Sequence, residues 1–170
     1  MADQEQVDLI TEDGVLRWNA WRAENLRVLT NLSGADLQGC YLMAANFVDT
    51  NLQDAALKGA RLAGANLAGA SLSGADFSTA DLTKAKLSGA NLAGVNLAGA
   101  NLTQTDLTGA DLQNTNLTAA KFHSANLRGA NFRGATLESA TFQGAHINHR
   151  TLGLGRLPQS YNRILCTALD

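Results

Sequence analysis

Charge, aromatic side chains, cysteine and long apolar runs are all scarce in this 170-residue chain, and each shortage closes off a class of function. Charged residues are 16% of the sequence and nearly cancel, 13 basic against 15 acidic, for a formal net charge of −2. That balance favours solubility and exerts no general pull on nucleic acid or an anionic membrane. Aromatic residues are 5%, too few to interleave with basic side chains as a nucleic-acid groove requires. The two cysteines, Cys40 and Cys166, have no metal-ligand spacing and make no disulfide framework. Two small buried thiols in a reducing compartment are expected. No apolar run approaches the ~18 residues of a membrane span. The polar, acidic start (Met1 to Gln6) does not resemble a signal or transit peptide. A cytoplasmic protein is expected, with no membrane and no nucleic-acid partner.

What the chain has in abundance is a period. Hydrophobic residues are 45% of the sequence, well above a disordered composition. From Leu32 to Leu152 every fifth residue is large and apolar, 25 positions in succession. Two residues before each lies a second series. From Ala35 to Ala145 it holds 18 alanines in 23 positions, with Cys40, Thr50, Val95, Thr105 and Thr115 as the modest exceptions. The residue between the two series is usually Asn, Asp, Ser or Thr. Two residues after the large one, glycine recurs in 13 of 24 repeats.

Neither regular backbone tolerates this pattern. In an α-helix a five-residue step turns ~500°, so the leucines form no face. In a flat strand an odd step sends successive leucines to opposite sides. Ala and the following Leu are two apart and share a strand face, and a bend in the next three residues returns the following Ala inward. Glycine is enriched at that bend, as a type II turn with φ > 0 requires. Where glycine is replaced, as at Lys84, Gln104 and Ser124, the reading expects a turn that avoids positive φ. The chain then winds into a coil with Ala and Leu inside, and the uniform size of those residues implies a filled interior.

The tandem Ala-(Asn/Asp)-Leu-x-x pattern from Thr30 to Leu154 resembles the pentapeptide-repeat family, and the segment Trp18-Asn19-Ala20-Trp21-Arg22 resembles the leader that precedes the repeats in many of its cyanobacterial members. The resemblance implies an all-β solenoid: a right-handed, four-sided parallel β-helix with four repeats per coil, about six coils in all. A solenoid needs capped ends. Residues 1–29 are read as an N-terminal cap with a short helix from Asp13 to Glu24. Asp13 is its candidate N-cap, and Val15, Trp18 and Trp21 lie on one face. Residues 30–154 are the repeats. Residues 155–170 are read as a C-terminal cap after Pro158, a helix from Ser160 to Leu169. Tyr161, Ile164 and Leu165 in its stripe could pair two copies end to end as a homodimer.

No catalytic constellation, cofactor motif or metal cluster stands out. His146 and His149 flank Asn148 without a third ligand, and with His123 they read as surface histidines. Some members of the resembled family regulate DNA gyrase by mimicking duplex DNA or through inserted loops. Here the eight acids of the repeats are balanced by eight bases, and the register from 32 to 152 has no break, so that role is disfavoured. The side that groups Arg61, Lys84 and Lys121 has a slight positive excess. Tyr41, Met43 and Val48 are apolar at outward positions, an exposed cluster that marks a contact. The N-terminal segment from Val7 to Trp21 is expected to fold over them, with a partner site as the alternative. The reading is therefore a non-enzymatic interaction or scaffold module with no cofactor. Its partner is an unknown protein, met through Tyr41, Met43, Val48, Arg61, Lys84 and Lys121.

Overall fold

The structure, a computed structural model, describes residues 2–153. Its body is a ladder of isolated parallel bridges between residues twenty apart, from Asn31↔Asn51 to Asn126↔His146. Four pentapeptides therefore make each coil. Each side contributes a single bridge residue per rung, and no longer strand occurs among the described residues.

One repeat shows how the sequence specifies this. The amide of Leu92 donates to the Asp111 carbonyl at 2.8 Å, that of Gly94 to Gln113 at 2.9 Å, and that of Asn91 back to Ala70 at 3.1 Å. The amide of Val95 closes the turn onto Leu92 at 3.1 Å. The fifth amide, of Ala93, finds no backbone partner and donates to Asn91 Oδ1 at 3.1 Å. This explains why Asn or Asp so often precedes the large residue. Its carboxamide or carboxylate oxygen satisfies the one amide the coil cannot.

Positive φ occurs at all 23 consecutive corners from Gly34 to Gly144, thirteen of them glycine and ten not. The expectation that Lys84, Gln104 and Ser124 avoid this region is overturned: their φ values are 59°, 59° and 55°. The ladder overrides local preference. Lys84 N is held by Thr103 O at 2.9 Å and Ala85 N by Leu82 O at 2.9 Å, and a different turn would re-aim both. Each such non-glycine residue costs about 1–2 kcal/mol, less for Asn and Asp. At three corners glycine also leaves space for a neighbouring side chain, because the Oδ1 atoms of Asp49, Asp54 and Asn114 lie where a Cβ on Gly69, Gly74 or Gly134 would stand.

Inside, the large series is buried to 1% exposure or less from Leu32 to Phe132. The small series fills the gaps between coils. Its buried hydroxyls are satisfied: Thr105 Oγ1 donates to Leu82 O at 2.8 Å and Thr115 Oγ1 to Leu92 O at 3.0 Å. Near the C-terminal end the core turns aromatic. Phe122 and Phe142 stack at 4.8 Å, with Phe132 edge-on to both at 5.9 and 6.4 Å. Beyond them Leu137 and Ile147 are only partly covered.

The unbroken register also fails at its last step. Asn131 bridges Leu152, twenty-one residues on, and Leu152 is 38% exposed. One extra residue enters between Ile147 and Leu152. Asn148 Oδ1 accepts from Gly129 N at 3.1 Å, and Thr151 Oγ1 donates to Leu127 O at 2.9 Å, so Thr151 takes the small inward position. The predicted helix from Ser160 to Leu169, with Tyr161, Ile164, Leu165 and Cys166, lies outside the described residues.

The N-terminal cap is two helices where the sequence reading had one: α1 (Gln4–Thr11) and α2 (Gly14–Glu24). Asp3 caps α1, its side chain accepting from the amides of Glu5 and Gln6. Asp13 precedes α2 but makes no side-chain cap bond. Trp18 is fully buried against Phe47, ring centroids 5.5 Å apart, and Ile10 is buried beside the core.

Candidate functional site

The first coil has no coil above it, so its upward amides and carbonyls need other partners. On two sides the cap supplies them with side chains. Trp18 Nε1 donates to Asn46 O at 2.8 Å, Asn19 Oδ1 accepts from Asn46 N at 2.8 Å, and Arg22 Nη2 donates to Val48 O at 2.6 Å. Gln6 Oε1 accepts from Asn31 N at 2.7 Å, and Asp3 N donates to Asn31 O at 2.8 Å. Burial holds the Arg22 guanidinium below its ordinary value, and Asp49 partly offsets this. On the other two sides the backbone groups of Asp36 and Tyr41 meet no partner among the described residues.

Tyr41 opens a column set by the bridges: Tyr41, Arg61, Asp81, Asn101, Lys121 and Thr141. The Arg61 guanidinium sits 4.6 Å from the Tyr41 ring centroid, a cation–π contact on the open surface. Lys84 stands at the corner of the Asp81 rung, and Met43 shares the rung of Tyr41. Five of the six residues singled out from the sequence therefore share one side. Val48 does not; it lies on the next side, under Arg22. The expected cover by the N-terminal segment is also corrected. Tyr41 and Met43 remain 65% and 52% exposed, because α1 and α2 are anchored over Asn31 and Asn46 instead.

Three bases, Arg61, Lys84 and Lys121, face one acid, Asp81, on this side. Polar side chains tie the rungs together. Thr83 Oγ1 donates to Asp81 Oδ1 at 2.6 Å and accepts from Asn101 Nδ2 at 2.9 Å, and Thr141 Oγ1 lies 2.8 Å from His123 Nε2. The neighbouring side carries the opposite excess, Asp36, Asp76 and Glu138 against Lys58. Cys40 is not the buried thiol expected. It is half-buried at the open corner, its thiol pushed up by burial and then by Asp36. Among the described residues no group of three His, Cys, Asp or Glu side chains could hold a metal, and no helix is long and apolar enough to cross a membrane.

The sequence matches two family models, one described as a pentapeptide repeat region over residues 75–152 and one as pentapeptide repeats over residues 29–64. Among solved structures it is similar to HetL of Nostoc sp. strain PCC 7120, described as involved in heterocyst differentiation regulation. Identity is 35% over 69% of this chain, with TM-score 0.43, and the chain spans only 60% of that structure's length. Rfr23 of Cyanothece 51142 is 28% identical over 79% of this chain and 97% of its own, TM-score 0.50. A trypsin-treated form of QnrB1, a plasmid-mediated fluoroquinolone resistance protein, is 19% identical over 84% of this chain and 76% of its own. Its TM-score of 0.56 shows a shared fold. No match was found among curated proteins.

Proposed function

The chain belongs to the pentapeptide-repeat family, and from that premise we propose that it is a non-catalytic interaction module whose flat polar sides receive a partner protein. The observation that carries this reading is the Tyr41 column. It is an exposed stack of one aromatic ring and three bases on a rigid ladder whose interior is filled with buried Leu, Phe and Ala. A filled interior offers no room for a substrate, so function falls to the outside. An acidic strip on the partner fits the excess of Arg61, Lys84 and Lys121. The family's right-handed four-sided winding, about six coils and a helical C-terminal cap complete the reading.

The test is capture from the native host with wild-type protein and two charge variants. A partner retained by wild type and by Lys58→Glu, but lost with Arg61→Glu/Lys84→Glu, supports the proposal. Equal capture by all three removes it, as does specific turnover by the purified protein. Topoisomerase regulation rests on family resemblance alone and is opposed by the balanced charge of the repeats. Unchanged gyrase supercoiling at micromolar excess of protein would dispose of it. Pairing of copies through Tyr161, Ile164 and Leu165 predicts a dimer in sedimentation that Ile164→Asp/Leu165→Asp converts to monomer.

A further inference from the structure

The cap carries a second surface, of opposite sign. Residues 1–29 hold six acids and three arginines, whereas the repeats are neutral. One of those arginines, Arg22, is buried. Between α1 and α2 lie two adjoining depressions of about 190 and 370 Å³ that share Glu5, Leu9 and Trp21. Leu9 and Trp21 are the apolar lining of both, joined by Val28 in the smaller. The polar lining is Asp3, Glu5 and Gln6 in the smaller and Glu5, Asp8, Glu12 and Asp13 in the larger, with no basic residue lining either.

Two observations make this groove more than an acidic cluster. Trp18 is wholly buried by the cap, but Trp21, stacked on it at 5.8 Å, is left half-covered facing the groove. The chain around Val28 is also apolar and bare, with Leu26 82% and Leu29 88% exposed. Exposed apolar surface with a polar rim marks a contact, and the sign of the rim selects the partner.

We propose that the α1–α2 groove docks a cationic amphipathic segment of a partner protein. Its apolar stripe rests on Leu9, Trp21 and Val28, and its lysines or arginines face Glu5, Asp8 and Glu12. This surface is independent of the Tyr41 column, and either can fail without the other.

Trp fluorescence of the whole chain provides the readout, with three probes: a Leu/Lys peptide at helical spacing, its Leu/Glu counterpart, and a peptide of residues 154–170. The Leu/Lys peptide is expected to give a saturable shift that is lost with Trp21→Phe and weakens as salt rises. Affinity is expected to fall at least tenfold in Glu5→Lys/Asp8→Lys and to persist in Asp106→Lys/Asp111→Lys, which makes the same charge change on the repeats. Leu26→Ser/Leu29→Ser, at sites already in solvent, is expected to weaken binding at least threefold while leaving the fold intact. Equal loss in both charge variants, equal binding of the Leu/Glu peptide, or no saturable shift would overturn the proposal. Tighter binding of the 154–170 peptide than of Leu/Lys would also overturn it, assigning the groove to this chain's own C-terminal segment.

Discussion

The body of the solenoid and its N-terminal cap satisfy the same backbone groups in opposite ways. In the body nearly all upward amides and carbonyls meet the coil above through the same backbone bonds, repeated with period twenty as far as His146. In the cap the same groups on Asn31, Asn46 and Val48 are met by the side chains of Gln6, Trp18, Asn19 and Arg22, the Asn31 carbonyl alone taking a backbone amide, that of Asp3. A repeated backbone bond does not depend on side-chain identity, so the body tolerates varied outward residues. A side-chain bond does depend on it, so the cap is specified residue by residue. Half of the first coil's edge is specified this way and half is open, and the open half carries the exposed Tyr41 and Met43.

The contrast can be broken most forcefully at Trp18. Trp18→Ala removes a fully buried indole and the donor to Asn46 O, a loss of about 3–5 kcal/mol in chemical denaturation. The damage is expected to begin as fraying of residues 31–48 while later coils persist. Leu92→Ala in the body should cost about 2–5 kcal/mol and open its neighbouring coils on both sides. Arg22→Ala strands the Val48 carbonyl and is expected to cost about 1–3 kcal/mol. Corner substitutions come next, with opposite signs. Thr79→Gly relieves a β-branched residue at φ 58° and should stabilise by about 1 kcal/mol. Gly94→Ala, where nothing crowds a new Cβ, should destabilise by about 1 kcal/mol through φ alone.

The smallest effect is at Cys40. With Cys166→Ser to isolate it, alkylation should lag a free thiol at neutral pH and rise only above the ordinary thiol range. Its folded value is raised, so its contribution to stability is complete below that range and fades as pH climbs through the raised value. Labelling as fast as a model thiol would contradict the half-buried corner.

Much of the body was legible because Leu32 to Ile147 recur at a step that no helix or strand accommodates, so only a turn every five residues buries them together. Grouping by position also brought Arg61, Lys84 and Lys121 to one side, as the bridges do. The corners at Lys84, Gln104 and Ser124 were misjudged because local preference was weighed without the ladder bonds that pin them. Leu152 continued the sequence period while the bonds of Asn148 and Thr151 shifted the backbone by one. Helix α1 lies in a stretch that the sequence assigns to the cap without a helix of its own, its start being polar. Asp3 as a cap, with Val7 and Ile10 three apart, was the available signal. The choice of which edges the cap covers lay in contacts across 25 to 28 residues, such as Gln6 to Asn31 and Trp18 to Asn46. No local pattern encodes these.

Residue-resolved amide exchange by NMR examines the half-capped first coil most directly. Slow exchange at Asn31 and Asn46 with fast exchange at Asp36 and Tyr41 is expected, set against slow exchange at Asn91, Leu92, Gly94 and Val95 in the body. Equal protection of all four first-coil amides, or equal exposure, would contradict a cap built by named side chains on two sides and an edge left open on the others.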